Sequence, residues 1–213
     1  MKKRLFCAAG LLLGFLLWTW LVSYVDVRPI GPEGSSVGFA GVNGWFHHLT
    51  GVNMTLYHIT DWLGLVPVAV GFGFAALGFA QWIKRKRIWR VDGSILLLGG
   101  FYIVTLAGYL LFESVVINYR PVLIAGFLEP SYPSSTTLLV LCVMPTAILQ
   151  LGGRIKGPVL RRWVSTAIKG FIVFMVLGRL ISGVHWLSDI VGGVLLSAGL
   201  VMLYDACWMG RNG

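Results

Sequence analysis

The chain has 213 residues, of which 57% are hydrophobic and only 12% are charged, and its formal net charge is +9. This composition is far more apolar than that of a soluble domain, so it excludes a soluble globular protein. The basic residues lie in short groups between apolar runs. We therefore infer that the basic residues set the membrane topology and contact anionic lipid headgroups, and we exclude nucleic-acid binding.

Six apolar runs are long enough, or nearly so, for the ~20 residues that a helix needs to cross a bilayer. They predict an all-α, polytopic membrane protein with a single domain over residues 1–213. The fourth and fifth runs are short, and the fourth is open to an earlier start at Ser134. The predicted spans are Leu5–Val25, Trp62–Trp82, Ile95–Phe112, Thr136–Leu151, Val164–Leu180 and Ile190–Cys207.

Groups of Lys and Arg mark the connections at one side of the membrane. They precede the first span, follow the second and separate the fourth from the fifth: Lys2, Lys3, Arg4, Lys84, Arg85, Lys86, Arg87, Arg90, Arg154, Lys156, Arg161 and Arg162. With six spans, all these groups fall on one side, which the positive-inside rule assigns to the cytoplasm. We predict cytoplasmic N- and C-termini and a multi-pass location in the plasma membrane.

Three connections then lie on the extracytoplasmic side. The first runs from Asp26 to Asp61, and its aromatic and polar part, GWFHHLTGVNMTLYHITDW, is typical of a helix lying at the membrane interface. The second runs from Glu113 to Tyr132, and the third is residues 178–189. The polar residues that suggest a function therefore gather at one face of the membrane.

The third connection, GRLISGVHWLSD, carries the most informative pattern. Positions i and i+4 of a helix share a face, so we expect Asp189 to fix one ring nitrogen of His185 and to leave the other as a nucleophile or base. Arg179 adds a planar, permanently charged fork that suits phosphate oxygens. Three ionisable groups at the end of an apolar run are costly, which indicates a function.

The second connection supplies complementary groups. Arg120-Pro121 provides another guanidinium group, and Ser134 and Ser135 follow Pro133 at the start of the fourth helix. Serine is a good N-cap, and the free N–H groups of a helix start form an anion site. We predict that these groups and Arg179 enclose one phosphate. A plain turn and a plain helix cap remain alternatives, and capping does not exclude phosphate binding.

These segments resemble the motifs of the type 2 phosphatidic acid phosphatase superfamily, which also includes the vanadium haloperoxidases. The family motifs are Lys-x6-Arg-Pro, Pro-Ser-Gly-His and Ser-Arg-x5-His-x3-Asp. This chain has them in the same order, as Glu113-x6-Arg120-Pro121, Pro133-Ser134-Ser135-Thr136 and Gly178-Arg179-x5-His185-x3-Asp189. The resemblance implies a six-helix integral membrane phosphatase that hydrolyses a lipid phosphate or diphosphate at the outer membrane face.

The resemblance also implies roles for individual residues. His185 attacks phosphorus and forms a phosphohistidine, and Asp189 orients it. The phosphate-binding residues are Arg120, Ser134, Ser135 and Arg179. No metal and no cofactor are implied, and the partners are a lipid phosphate substrate and the membrane.

Three positions depart from the family pattern. Glu113 replaces a phosphate-binding lysine, Thr136 replaces the histidine that protonates the leaving oxygen, and Gly178 replaces a serine. One hypothesis is a preference for lipid diphosphates such as isoprenyl diphosphate, whose leaving group needs the proton least. Another is a substitute acid, namely Glu113 or a histidine of the first connection: His47, His48 or His58.

Two other classes of function stay open. One is a degenerate family member that binds or moves lipid phosphates without hydrolysis, which the altered motifs favour. The other is a transporter, which the sequence disfavours because transporter sites usually lie at the midplane, whereas these ionisable residues lie at one edge.

Overall fold

The computed structural model describes residues 1–212, and eight α-helices account for most of them. In chain order they are α1 (Lys2–Tyr24), α2 (Ala40–Thr50), α3 (Met54–Leu63), α4 (Leu65–Arg85), α5 (Gly93–Ser114), α6 (Ser135–Gly152), α7 (Pro158–Ile181) and α8 (Leu187–Asn212). The β-structure among the described residues consists of isolated bridges. The predicted all-α class is confirmed.

Six helical segments are long and apolar enough to cross a membrane. Five are α1, α5, α6, α7 and α8, and the other is the pair α3 and α4, which is continuous from Met54 to Arg85. The predicted number of spans is therefore confirmed. The fifth span was predicted too short, because α7 begins at Pro158, in the first helical position where proline costs least, and includes two arginines in its first turns.

Helices α6 and α8 form the centre of the bundle. Half of the α6 span and 44% of the α8 span are buried, compared with 11–17% for the other four spans. Helix α1 packs along α8, and α5 and α7 pack against α6. The outer helices present their apolar side chains outward, as expected of helices that face lipid.

The connections at one end of the bundle are tied together by hydrogen bonds between distant parts of the chain. The Asn53 N–H donates to the Ser182 carbonyl, and the Gly38 N–H donates to the Asn118 side chain. The Asn43 side chain accepts from the Ser188 N–H at the start of α8. The three connections predicted to share one face therefore do meet at one end of the bundle.

The first connection differs from the single interfacial helix that was predicted. It forms two helices, because Gly51, with a φ of 61°, ends α2, and the Asn53 side chain caps α3 by accepting from the Leu56 N–H. Helix α3 then packs against α7. This contact is what brings the first connection to the residues of the third motif.

Candidate active site

His185 lies in the loop between α7 and α8, and its side chain is almost completely buried. Two features shape this loop. Gly183 has a φ of 68°, and an added Cβ would lie 1.9 Å from the Gly51 carbonyl oxygen. Glycine is therefore required both for the left-handed backbone and for the close approach of two loops. The prediction that His185 lies on a helix is wrong, because α8 begins at Leu187.

Two guanidinium groups converge on one ring nitrogen of His185. Arg120 Nη1 lies 3.4 Å from His185 Nε2, and Arg179 Nη2 lies 3.3 Å from the same atom. Arg120 comes from the connection between α5 and α6, whereas Arg179 comes from the last turn of α7. The predicted meeting of these three side chains is thus present in the structure.

The surroundings of His185 favour the neutral form of its ring. Burial is the largest cause that holds the pKa of His185 well below its usual 6.5, and the positive charges of Arg120 and Arg179 add to it. A neutral imidazole has a lone pair on one ring nitrogen. The lone pair on Nε2 would face the two arginines, at the place where a phosphorus atom would be held.

Three N–H groups of the two arginines lack a hydrogen bond within the part of the chain that the structure describes. Among residues 1–212, Arg179 Nε and Nη1 and Arg120 Nε have no partner with hydrogen-bond geometry. Two carboxylates approach them as ion pairs: Arg120 Nε lies 3.0 Å from Glu129 Oε2, and Arg179 Nη1 lies 3.5 Å from Asp61 Oδ1. Buried donors without hydrogen bonds are costly, and an oxyanion would satisfy them.

Asp189 does not make the predicted hydrogen bond to His185. The distance from His185 Nδ1 to Asp189 Oδ2 is 3.9 Å, because His185 precedes α8 and does not share a helical face with Asp189. The carboxylate instead accepts from the Trp186 N–H at 2.9 Å, from Asn118 Nδ2 at 3.1 Å and from the Ser131 hydroxyl. Asp189 therefore fastens the loop of His185 to the connection that carries Arg120.

The two predicted phosphate-binding serines occupy different environments. Ser134 is the N-cap residue of α6 and is fully buried; its N–H donates to the Asp189 carbonyl, and its hydroxyl accepts from Thr137. Ser135 is partly exposed and lines a small cleft with Glu113 at the end of α5. The structure brings Ser134 next to Asp189, and it places Glu113 and Ser135 together at a neighbouring cleft.

Thr136 lies beside the junction of α3 and α4. A Cβ added at Gly64 would lie 3.6 Å from Thr136 Cγ2. The threonine methyl group therefore faces the end of α3, where Asp61 lies one turn earlier.

Sequence reasoning missed the contribution of α3. The Tyr57 ring lies against Arg179, with 5.0 Å between the ring centroid and Cζ, and Asp61 forms the ion pair described above. The available signal was their spacing, because positions i and i+4 share a helical face. The roles of Asn118 and Ser131 as donors to Asp189 had no comparable signal, since each depends on a contact between distant segments.

The described residues contain no group of three His, Cys, Asp or Glu side chains that could hold a metal ion. The positive charge at the site comes from Arg120 and Arg179. The absence of a metal and of a cofactor from the reaction stays a prediction.

Comparison with known proteins supports the resemblance. Residues 112–212 match the family model described as the PAP2 superfamily. The fold matches the crystal structure of a transmembrane PAP2-type phosphatidylglycerolphosphate phosphatase from Bacillus subtilis, with a TM-score of 0.55 and 18% sequence identity over 95% of this chain and 96% of that chain. None of the curated proteins matches the chain in sequence. Residues 112–212 are therefore similar to the PAP2 superfamily, and the chain shares the fold of that membrane PAP2-type protein.

Proposed function

We propose that this protein is an integral membrane phosphatase that hydrolyses a lipid phosphate or diphosphate through a phosphohistidine at His185. The observation that carries the proposal is the position of His185 Nε2 between Arg120 Nη1 and Arg179 Nη2, at 3.4 and 3.3 Å. A nucleophile flanked by two guanidinium groups is suited to a phosphoryl group, whose oxygens need positive charge while its phosphorus is attacked.

The reaction has two steps at this site. The phosphoryl oxygens bind the N–H groups of Arg120 and Arg179 that lack a hydrogen bond, and His185 Nε2 attacks phosphorus as the bond to the leaving oxygen breaks. Water then attacks the phosphohistidine, which releases inorganic phosphate and returns neutral imidazole. The two arginines stabilise the negative charge in both steps.

The substrate is a lipid because the site lies at one end of a membrane-spanning bundle. The basic groups of the sequence lie at the other end, so the positive-inside rule places the site at the extracytoplasmic face of the plasma membrane. The lipid tail stays among the helices while the phosphate enters the site. Phosphatidylglycerolphosphate, the substrate named for the Bacillus protein, and isoprenyl diphosphate are the first candidates.

Phosphate release by the purified protein in detergent tests this function. The substrates are phosphatidate, phosphatidylglycerolphosphate, isoprenyl phosphate and isoprenyl diphosphate. We expect release from at least one of them, together with an acid-labile phosphoprotein, and we expect His185→Ala to abolish both. The matched control is Arg28→Ala, which removes an exposed side chain at the same end of the bundle. Equal activity in His185→Ala and the wild type would refute the proposal.

A second candidate function is binding of a lipid phosphate without hydrolysis. This function is favoured by Thr136, which stands where the family has the histidine that protonates the leaving oxygen. The same arginine pair would then hold the headgroup. Saturable binding of a lipid phosphate, with no phosphate release from any substrate and no phosphoprotein, would favour this function over hydrolysis.

A further inference from the structure

We propose that Asp61 is the general acid of this site, and that it extends the reaction to alkyl phosphate monoesters; this inference rests on the proposed phosphatase function. An alkoxide is a poor leaving group, so hydrolysis of such a monoester needs a proton donor at the leaving oxygen, and a positioned donor typically contributes about 10²–10⁴-fold. Threonine at position 136 cannot serve, because a hydroxyl group is far too weak an acid.

Asp61 lies beside the phosphate-binding arginine, at a different amino group from the one nearest the nucleophile. One amino group of Arg179, Nη2, lies 3.3 Å from His185 Nε2, while the other, Nη1, lies 3.5 Å from Asp61 Oδ1. A phosphoryl group bound to this fork would have the imidazole at one end and the carboxyl group near the other. In-line displacement needs the nucleophile and the proton donor on opposite sides of phosphorus.

The environment of Asp61 also fits this role. Its side chain is 54% exposed, whereas Arg179 is almost completely buried, so Asp61 lies where the outer part of a substrate would pass.

The two nearest departures from the family pattern both contact the turn of α3 that carries Asp61. A Cβ at Gly178 would lie 2.7 Å from Thr60 Cγ2, so the glycine that replaces the family serine allows α3 to approach α7 closely. Thr136, which replaces the family histidine, faces Gly64 at the end of the same turn. The two changes are thus linked in space, since one allows the close approach of α3 and the other lies beside the end of α3.

The proton balance is complete with Asp61 as the donor. As the bond from His185 Nε2 to phosphorus forms and the ester P–O bond breaks, the Asp61 carboxyl proton passes to the leaving oxygen, which departs as an alcohol. The resulting carboxylate then takes a proton from the water that attacks the phosphohistidine. Cleavage of the P–N bond releases phosphate and leaves Asp61 protonated again.

Substrates with different leaving groups distinguish an acid from a residue that only positions Arg179. We propose to measure kcat/KM for dodecyl phosphate, which loses an alkoxide, and for 4-nitrophenyl phosphate, whose leaving group needs no proton. Asp61→Asn should lower kcat/KM for dodecyl phosphate about 10²-fold or more. The same substitution should change kcat/KM for 4-nitrophenyl phosphate by less than about fivefold. The matched control is Glu129→Gln, which alters the carboxylate of the other arginine and should affect both substrates by the same factor.

The outcomes separate this inference from the proposed function. If Asp61→Asn lowers kcat/KM for both substrates by the same factor, Asp61 only positions Arg179 and the inference is overturned. It is also overturned if the wild type hydrolyses isoprenyl diphosphate but not dodecyl phosphate, and in both cases the proposed function stands. If the wild type releases phosphate from no substrate, or if His185→Ala keeps full activity, the phosphatase function itself is overturned. The proposed role of Asp61 then falls as well.

Discussion

His185 Nδ1 and Asp189 Oδ2 lie 3.9 Å apart, which is too far for a hydrogen bond although both side chains are buried. Asp189 acts on His185 through the backbone instead, since its carboxylate accepts from the Trp186 N–H next to His185 and from the Ser131 hydroxyl. The carboxylate thus joins two connections, one that carries His185 and one that carries Arg120. Its main effect is therefore on how these two connections pack against each other.

Asp189→Asn should therefore destabilise the fold as well as lower activity. The substitution exchanges a buried charged acceptor for an amide, and hydrogen bonds to a charged group contribute about 1.5–3 kcal/mol. We expect the free energy of unfolding in detergent to fall by about that amount, measured by thermal or denaturant unfolding.

The control for this prediction lies on the same helix. Asp205 pairs with Arg4 near the protein surface, and exposed ion pairs contribute about 0–1 kcal/mol. The free energy of unfolding of Asp205→Asn should therefore be close to that of the wild type. Equal losses of stability in the two variants would contradict the role given to Asp189.

The low pKa of His185 predicts how activity depends on pH. The free enzyme keeps Nε2 unprotonated until the pH falls below the depressed pKa, so kcat/KM should not decline at pH 6.5, where an ordinary histidine gains its proton. The acid limb should lie well below pH 6.5. The measurement is kcat/KM between about pH 4.5 and 8, corrected for the ionisation of the substrate phosphate. A half-maximal value near pH 6.5 would contradict the depressed pKa.

The fold was predictable because its signal is local. A span needs only a sufficient run of apolar residues, and each run is visible in the sequence by itself. The error at α7 has a physical reason as well: Arg161 and Arg162 were excluded from the span, although a helix at the membrane surface holds arginines whose long side chains reach the headgroups.

The site was predictable only in part. The spacing of Arg179 and His185, and the Arg120-Pro121 pair, identified the three side chains that meet. The left-handed turn at Gly183 was not visible, because it depends on the Gly51 backbone more than 130 residues away. The contact of Asp61 with Arg179 likewise depends on how closely α3 approaches α7, and neither helix reveals this alone.

Replacement of either arginine by lysine should weaken phosphate binding. Lysine keeps the charge but loses the planar fork whose separate nitrogens reach His185 and the bound anion. We expect Arg120→Lys and Arg179→Lys each to raise the inhibition constant of inorganic phosphate about 10- to 100-fold. Arg28→Lys is the control, because Arg28 is an exposed arginine at the same end of the bundle, where it pairs with Asp26. A similar change in all three variants would contradict a specific site.

Gly183→Ala should impair the site more than alanine at another glycine that also has a positive φ. Gly126 also has a positive φ, of 85°, but a Cβ there would meet nothing within 4 Å, whereas at Gly183 it would collide with the Gly51 carbonyl. Gly126→Ala should cost about 1 kcal/mol for the backbone conformation alone. Gly183→Ala should cost more and lower kcat/KM, because the loop of His185 must move. Unfolding and kinetics of both variants check this, and equal effects would show that the loop contact does not matter.

The proposed orientation predicts which surfaces a membrane-impermeant thiol reagent can reach. Glu33, between α1 and α2, lies at the end of the bundle with the site, and Arg87, between α4 and α5, lies at the basic end; both side chains are exposed. With Cys7, Cys142 and Cys207 replaced by alanine, we expect Glu33→Cys to be labelled in intact cells and Arg87→Cys only after the membrane is permeabilised. The positive-inside rule gives this direction, since the Lys and Arg groups around Arg87 resist translocation. Labelling of Arg87→Cys but not Glu33→Cys in intact cells would place the arginine pair and His185 at the cytoplasmic face, and the substrate would then have to come from the inner leaflet.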